Sequence, residues 1–463
     1  MATSITTDAT ISAPLPPGPS GPAAVSALAR LGRDPWFEPI RLLEEYGDVV
    51  RVPMPFTELI LLGHRDHIAH VNLKAAAKYQ RAPMVTETMR AQGSPHHASW
   101  FDHDDDEWAR GRELLQPHFT QKALAALGEL FTEAVIEHVD AWGHAADSGE
   151  TLDLVEPLKE LALAVLYNAM FSRRIAHDEM PELLHHLDER MLATTVRTGM
   201  FAMPDRVPRP FSRRGARSDA WLDDYLRGIV DERRRNPVET TDLLNVLLGA
   251  EYADGTPLED HKLRTEMLFL VIGGHETTAA ALAWTFAFLG SRPDLQARAR
   301  DEVDRLDGRR LGPADLAELP FITACFDEAQ RLQGSLVVNP KRALVDDEIG
   351  GYRIPAGATV LHSNIALHRD RRFWGADADS YRPDRWLDGD IDNGAFQSFG
   401  RGRRMCMGKR FAYIEAALTI GSALQRYTFT TPVGWQPRHE YRMSMTVKGG
   451  VPLSLRRRAS GQD

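Results

Sequence analysis

Cysteine is scarce in this chain: 463 residues carry two, Cys325 and Cys406. That excludes a secreted scaffold held by disulfides and fits a reducing compartment. A basic excess is also missing. Lys and Arg total 55 against 65 Asp and Glu, a formal net charge of -10. Nucleic-acid binders usually show the opposite balance. The opening Met-Ala-Thr-Ser-Ile-Thr-Thr-Asp has neither the basic start nor the apolar core of a signal peptide. There is no internal repeat, and no stretch long enough to link independent domains. A clean membrane span is absent too. Residues 267–290 are mostly apolar, but His275, Glu276, Thr277 and Thr278 interrupt them, where charge is costly in lipid. They read as a long helix buried in a protein core. The expectation is a cytoplasmic monomer with no nucleic-acid partner and no membrane anchor.

What is present is mostly helical periodicity. Residues 122–143, 153–172, 218–235, 258–290, 292–306, 315–333 and 408–426 place apolar side chains at three- and four-residue spacing. Strand-like stretches are short: 48–53, 57–62, 342–346, 351–353, 358–362 and 441–456. The fold class is therefore mainly α with small β regions near both ends of the chain. Residues 1–25, which include SAPLPPGPSGP, read as a flexible lead-in. Residues 26–463 form one large domain.

The most informative stretch is FQSFGRGRRMCMGKRFAYIEA, residues 396–416. Within it stand Phe399, Gly402, Arg404, Cys406 and Gly408 at fixed spacing. A cysteine thiolate can ligate haem iron and donate electron density that favours O–O cleavage. Gly402 and Gly408 permit a tight loop that approaches a flat ring closely. Arg404 can pair with a propionate, and Phe399 can shield the sulfur. A helix beginning near Gly408 would aim its positive end at Cys406 and favour the thiolate. Alone, Cys406 would read as an ordinary buried cysteine. As a set, this loop resembles the haem-binding loop of the cytochrome P450 family, and the likeness extends from about Trp36 to the C-terminal strands. The resemblance implies one domain with haem b between a long central helix and the cysteine loop.

Residues 270–281, LVIGGHETTAAA, are similar to that family's oxygen-activating helix. Paired glycines within a helix cost about 1 kcal/mol each against alanine. Gly273 and Gly274 would make room against the helix, Gly274 beside the cofactor. Glu276 and Thr277 set an acid beside an alcohol, a pair suited to relaying protons. The plainer reading is a helix whose threonines back-bond. His275 reads as a packing residue and Cys325 as a small buried hydrophobe.

Other matches support the resemblance. Glu328 and Arg331 share a helix face, and Arg385 lies in Tyr-Arg-Pro-Asp-Arg-Trp at 381–386. The family likeness makes these three a structural network. Trp108 and Arg112, four apart on a helix, would serve one haem propionate, and Arg342 the other. Gly334 and Ser335 depart from the pattern, since many members carry prolines there. The likeness also places substrate near Met84, Met89, Phe269, Leu336, Val337, Met445 and Thr446. These are mostly apolar and suit a hydrophobic small molecule; terpenoid, polyketide and fatty-acyl classes stay open. Arg401, Arg403, Lys409 and Arg410 form a basic patch suited to an acidic electron carrier. The implied activity is a monooxygenase using O2, with electrons from a ferredoxin and its reductase or a similar donor. A peroxygenase or isomerase, or a haem-based binding protein, is the alternative. The Glu276–Thr277 pair argues against these.

Overall fold

The computed structural model describes residues 12–54, 57–83, 85–86, 99–100, 106–200, 207–240, 242–252, 254–335, 338–389, 391–392, 394–442 and 444–458. Its axis is the helix Asp260–Ser291, the central helix below. Apolar residues occupy all its sides from Met267 to Leu289, so it must be packed all round. It is long and apolar enough to cross a membrane, yet 72% of its apolar window is buried inside the protein. The helices Val155–Phe171, Pro320–Leu332 and Lys409–Arg426 pack against it. It ends before Pro293, which opens the next helix and bars Arg292 from helical geometry (φ -131°, ψ 78°).

Helix positions follow the periodicity where the sequence shows it, but the helices Gly21–Arg33, which begins inside the expected lead-in 1–25, and Glu38–Tyr46 lie outside it. Further differences occur. The predicted helix 122–143 breaks at Leu127, giving Gln121–Ala126 and Gly128–Ala141. The helix Met180–Gly199 carried no clear signal in the sequence. The strands are β1 (Val49–Pro53), β2 (Glu58–Leu62), β3 (Tyr79–Arg81), β4 (Thr151–Asp153), β5 (Val338–Ala343), β6 (Asp347–Ile349), β7 (Tyr352–Ile354), β8 (Thr359–Ser363), β9 (Tyr427–Thr430), β10 (His439–Tyr441), β11 (Met445–Val447) and β12 (Pro452–Arg457). The main sheet runs β1-β2-β8-β5-β3, with only β2–β8 parallel. The expected C-terminal strand 441–456 divides into β11, which pairs with β10, and β12, which lies between β4 and β9.

The proline-rich lead-in differs from expectation in its described part. The Pro17 carbonyl accepts from the Arg51 amide at 2.9 Å, and the Pro14 carbonyl from the Arg353 amide at 2.9 Å. A Cβ on Gly18 would lie 1.9 Å from the Arg51 carbonyl oxygen. β1 is an edge strand with open backbone donors. A proline-rich segment still has carbonyls to offer them, so residues 14–18 are tied down.

One buried ion cluster holds the segment that leads to Cys406. Glu328 and Arg331 are both 0% exposed. Arg331 Nε and Nη2 grip Glu328 at 2.9 and 2.8 Å, and Arg385 Nε joins at 2.9 Å. The Arg382 amide and Trp386 indole complete the carboxylate's partners, at 2.9 and 3.0 Å. Arg331 also donates to the carbonyls of His368, Ala378 and Ser380. The sequence placed these three residues together, and the geometry agrees. Glu328→Ala strands two buried guanidinium groups and is expected to cost about 3–5 kcal/mol. Urea unfolding measures this; a loss of only about 1 kcal/mol, as for a surface pair, would refute a central role.

Candidate functional site

The loop from Gly400 to Gly408 is shaped by backbone bonds. The Cys406 amide donates to the Phe399 carbonyl at 2.8 Å, and Met405 N–H to Gly402 C=O at 3.0 Å. Gly402 has φ +78°, and a Cβ there would sit 2.3 Å from the Asn72 carbonyl oxygen. Only glycine fits both constraints. Gly408 differs: its φ is -77°, open to any residue. A Cβ on it would lie 3.9 Å from the Cys406 sulfur, so its glycine keeps space beside the sulfur. The upstream arm is pinned as well. Gln397 N–H donates to His368 Nε2 at 2.9 Å, and Ser398 Oγ to the Gln330 carbonyl at 3.1 Å.

Cys406 keeps exposed surface, yet protein surrounds it closely enough for burial to raise its thiol pKa. Both hold for a side chain on the floor of a cleft. The Gly408 and Lys409 amides and the Arg112 and Lys409 charges oppose that rise without cancelling it. The expected help from the helix end is present in the Gly408 and Lys409 amides, and burial acts against it. Burial outweighs them, and a bound metal would favour the deprotonated form.

Trp108 and Arg112 stand on the helix Asp106–Leu115. Arg112 Nη1 donates to the Met405 carbonyl at 2.8 Å, placing its charge next to Cys406. The Arg404 and Arg403 guanidinium groups lie 4.1 and 4.6 Å from the Trp108 ring centre. Trp108, Arg112, Arg404 and Cys406 therefore gather as expected. Phe399 packs on Tyr413 at 5.4 Å, with the Lys409 ammonium 5.8 Å from the Phe399 ring. Tyr413 in turn donates to Asp327, whose carboxyl burial pushes to about 7.

On the central helix Phe269, Gly273 and Thr277, at four-residue steps, are among the residues not fully buried, and Gly273 is exposed. Nothing lies within 4 Å of where a Gly273 Cβ would be. Gly274 faces elsewhere. Its Cβ would fall 2.1 Å from Leu166 Cδ1, so it serves packing against the Val155–Phe171 helix. That corrects its expected place beside the cofactor. Thr277 Oγ1 donates to the Gly273 carbonyl at 2.7 Å, and Thr278 repeats the pattern to Gly274 at 2.9 Å. The back-bonding reading is therefore present in the geometry. Burial raises the Glu276 pKa, while a hydrogen bond from Ser444 at 2.8 Å opposes it. Burial lowers His275 to about 4, which keeps it neutral.

Two further expectations are corrected by strand alternation. Arg342 is exposed on β5, opposite Thr359. Its face lies with Leu361 and Leu59, beneath Ala27 and Leu42. The other face, with Val360 and Ala343, packs on Ile68 and Val71. That segment reaches the cysteine loop where Asn72 meets Gly402. The cation on this face is Lys341, 7% exposed. Met445, expected against substrate, is 0% exposed within the main core; Thr446 points to the opposite face of β11 and is partly exposed. Met84, Met89, Leu336 and Val337 lie outside the described residues.

Sequence reasoning missed His368, Ser335 and Lys341 as members of the site. Period-two counting along β5 would have separated Lys341 from Arg342. His368 links Arg331 to Gln397 across 37 and 29 positions of sequence, a contact with no local signal.

The comparisons agree with this geometry. The cytochrome P450 family model matches residues 16–455. A protein named putative cytochrome P450 132, from Mycobacterium tuberculosis, is 29% identical over 89% of this chain and 91% of its own. Cyclooctat-9-en-7-ol 5-monooxygenase of Streptomyces melanosporofaciens is 28% identical, covering 85% of each. Pentalenene oxygenase of Streptomyces avermitilis is 28% identical over 69% of this chain and 71% of its own. The class is thus a haem-thiolate oxygenase. The chain belongs to the cytochrome P450 family and is a monooxygenase that uses haem b, O2, a hydrophobic substrate and a redox donor. Its own residues fit that cofactor: a sulfur at the floor of a cleft, a helix stripe with no Cβ at Gly273, and Arg112 and Arg404 as cations for an anionic ring edge.

Gly402→Ala is expected to cost about 1–3 kcal/mol through strain and overlap. Its readout is a lower haem-to-protein ratio and melting temperature. Full haem content with unchanged melting would show that the loop tolerates a Cβ there.

Proposed function

We propose that the chain inserts one oxygen atom into a terpenoid by hydroxylation or epoxidation, with Cys406 as the iron ligand and Glu276 and Thr277 as the proton-handling pair. The observation that carries this is the Phe269–Gly273–Thr277 stripe, an open apolar surface ending in a hydroxyl, with a buried acid next in sequence. Bound haem supplies dioxygen activation, and its thiolate ligand favours O–O cleavage. The protein's part is binding and proton control. Phe269 offers apolar contact to substrate. Thr277 gives its own hydroxyl proton to Gly273, so towards the cleft it accepts a hydrogen bond and can hold a protonated partner. Burial raises the Glu276 pKa, which favours the protonated form a proton donor needs. Arg112 and Arg404 would hold one propionate, and Lys341 in place of Arg342 the other.

The terpenoid class is supported by the two Streptomyces relatives, whose names specify cyclooctat-9-en-7-ol and pentalenene. The redox donor is read as an acidic ferredoxin, since Arg403 and Arg410 are exposed around the cysteine loop. A ligand panel read by the haem spin-state shift tests the class. Terpene hydrocarbons and alcohols should shift the spectrum; a response to fatty acids alone would overturn the assignment.

With a responding terpenoid bound, Thr277→Ala should raise peroxide release per electron while leaving the carbon monoxide band intact. Glu276→Gln should slow product formation roughly 100-fold, the scale of a lost general acid. Unchanged coupling in both variants would remove the pair from proton delivery.

A further inference from the structure

The acid on the central helix is held by a residue that no sequence motif marks. Ser444 lies at the tip of the β10–β11 hairpin and is 1% exposed. Its Oγ meets Glu276 Oε1 at 2.8 Å. Glu276 Oε2 is buried and has no hydrogen-bond partner among the described residues. The serine's own position is fixed from two sides. The next residue, Met445, donates its N–H to the Ser335 carbonyl at 3.0 Å and accepts from Trp284 Nε1 at 3.0 Å. Ser335 Oγ in turn donates to the Thr277 carbonyl at 2.7 Å. Hairpin, loop and helix are thus locked around the Glu276–Thr277 pair.

An ionised carboxylate with one bare buried oxygen is strongly disfavoured. The carboxyl therefore carries a proton, and two placements compete. If Ser444 donates to Oε1, the proton sits on Oε2, and only that O–H lacks a partner. If Oε1 donates to the serine, both the serine hydrogen and Oε2 go unpaired. The first leaves fewer unmet groups and is preferred. The charges acting on Glu276 are Asp188 and Lys159 from neighbouring helices and Arg442 from the hairpin. Lys159 and Asp188 pair with each other at 3.0 Å, which largely cancels their fields at Glu276. His275, the adjacent titratable group, is neutral.

We propose that Ser444 is a positioning residue for proton delivery: by donating to Oε1 it fixes the transferable proton on Oε2 and sets the pH at which Glu276 releases it. This rests on the reading of Glu276 as the acid. The hydroxyl stabilises the ionised form of the carboxyl more than the neutral one. Removing it must therefore raise the pH of release.

The test is infrared spectroscopy of the ferric holoprotein across pH, with no substrate added. Glu276→Gln should delete one protonated-carboxyl band and so assign it. Ser444→Ala should move the midpoint of that band upward by about one pH unit, the size one hydrogen bond to a charged group carries. Ser444→Thr, which keeps the hydroxyl, should leave the midpoint in place and so separates the bond from a disturbed hairpin. An unshifted midpoint in Ser444→Ala overturns the proposal. So does a Glu276→Gln spectrum that loses no band, since Glu276 would then be ionised when folded. Peroxide release with NADPH and a surrogate ferredoxin–reductase pair distinguishes the two failures. If Glu276→Gln alters peroxide yield while Ser444→Ala leaves the midpoint unshifted, the acid stands and the serine falls. If Glu276→Gln leaves the yield unchanged, the acid falls, and the serine's role with it.

Discussion

The Glu328 carboxylate is the point on which the cysteine side of the molecule depends. It accepts five hydrogen bonds, from Arg331, Arg385, Trp386 and the Arg382 amide. Two guanidinium groups on one carboxylate leave a surplus positive charge in a buried place. The surplus is spread over backbone carbonyls at His368, Trp374, Ala378 and Ser380. Two of those carbonyls, at Ala378 and Ser380, belong to irregular chain, and two, at His368 and Trp374, to the ends of short helices. Buried ion clusters seldom add net stability over an apolar core of the same shape. Here the cluster gives irregular chain one conformation, and that conformation carries the approach to Cys406.

The same helix reaches the distal side. Beyond Arg331 the chain turns at Gly334, where a Cβ would lie 2.7 Å from the Gln330 carbonyl oxygen. Ser335 follows and binds both the central helix and the C-terminal hairpin. Gln330 itself takes Ser398 of the cysteine arm on its carbonyl. One short stretch, 328–335, thus touches the arm that carries Cys406, the proposed iron ligand, and the backbone of Thr277 in the proposed proton-handling pair. The Gly-Ser step that departs from the common proline pattern is what permits this. Proline at 335 would have neither the N–H nor the hydroxyl that Ser335 contributes.

How much of this was legible follows from the range of each signal. Cys406, Glu276, Thr277, Glu328 and Arg331 sit in dense local patterns, and the long helices are periodic over many turns. The geometry brings Glu328 and Arg331 together and keeps the long central helix; the roles of Cys406, Glu276 and Thr277 remain proposed ones. The failures arise where one residue of register decides the face. Arg342 and Lys341 are adjacent and both cationic, and only strand pairing tells which one points inward. Met445 and Thr446 pose the same problem on β11. Gly273 and Gly274 pose it on a helix, where a 100° step sends one to open space and the other onto Leu166. His368 and Ser444 were invisible for another reason: each acts on a partner distant in sequence, and neither is set in a motif.

Burial governs the chemistry at both ends of the site in one direction. It raises the Cys406 thiol, raises the Glu276 carboxyl and lowers His275. Each shift favours the neutral form of its group. The chain as a whole is acidic, at -10, yet Arg112, Arg404, Lys341 and Lys409 cluster around the loop and its sheet. Such an excess makes sense only against incoming negative charge. A thiolate and carboxylates on a ring edge supply it, and the iron makes the thiolate possible. The cations around the loop and the negative charge of a haem-thiolate centre are therefore complementary. Glu276, proposed as the acid, would then stand as a proton store rather than as a counter-ion, its pKa raised by burial.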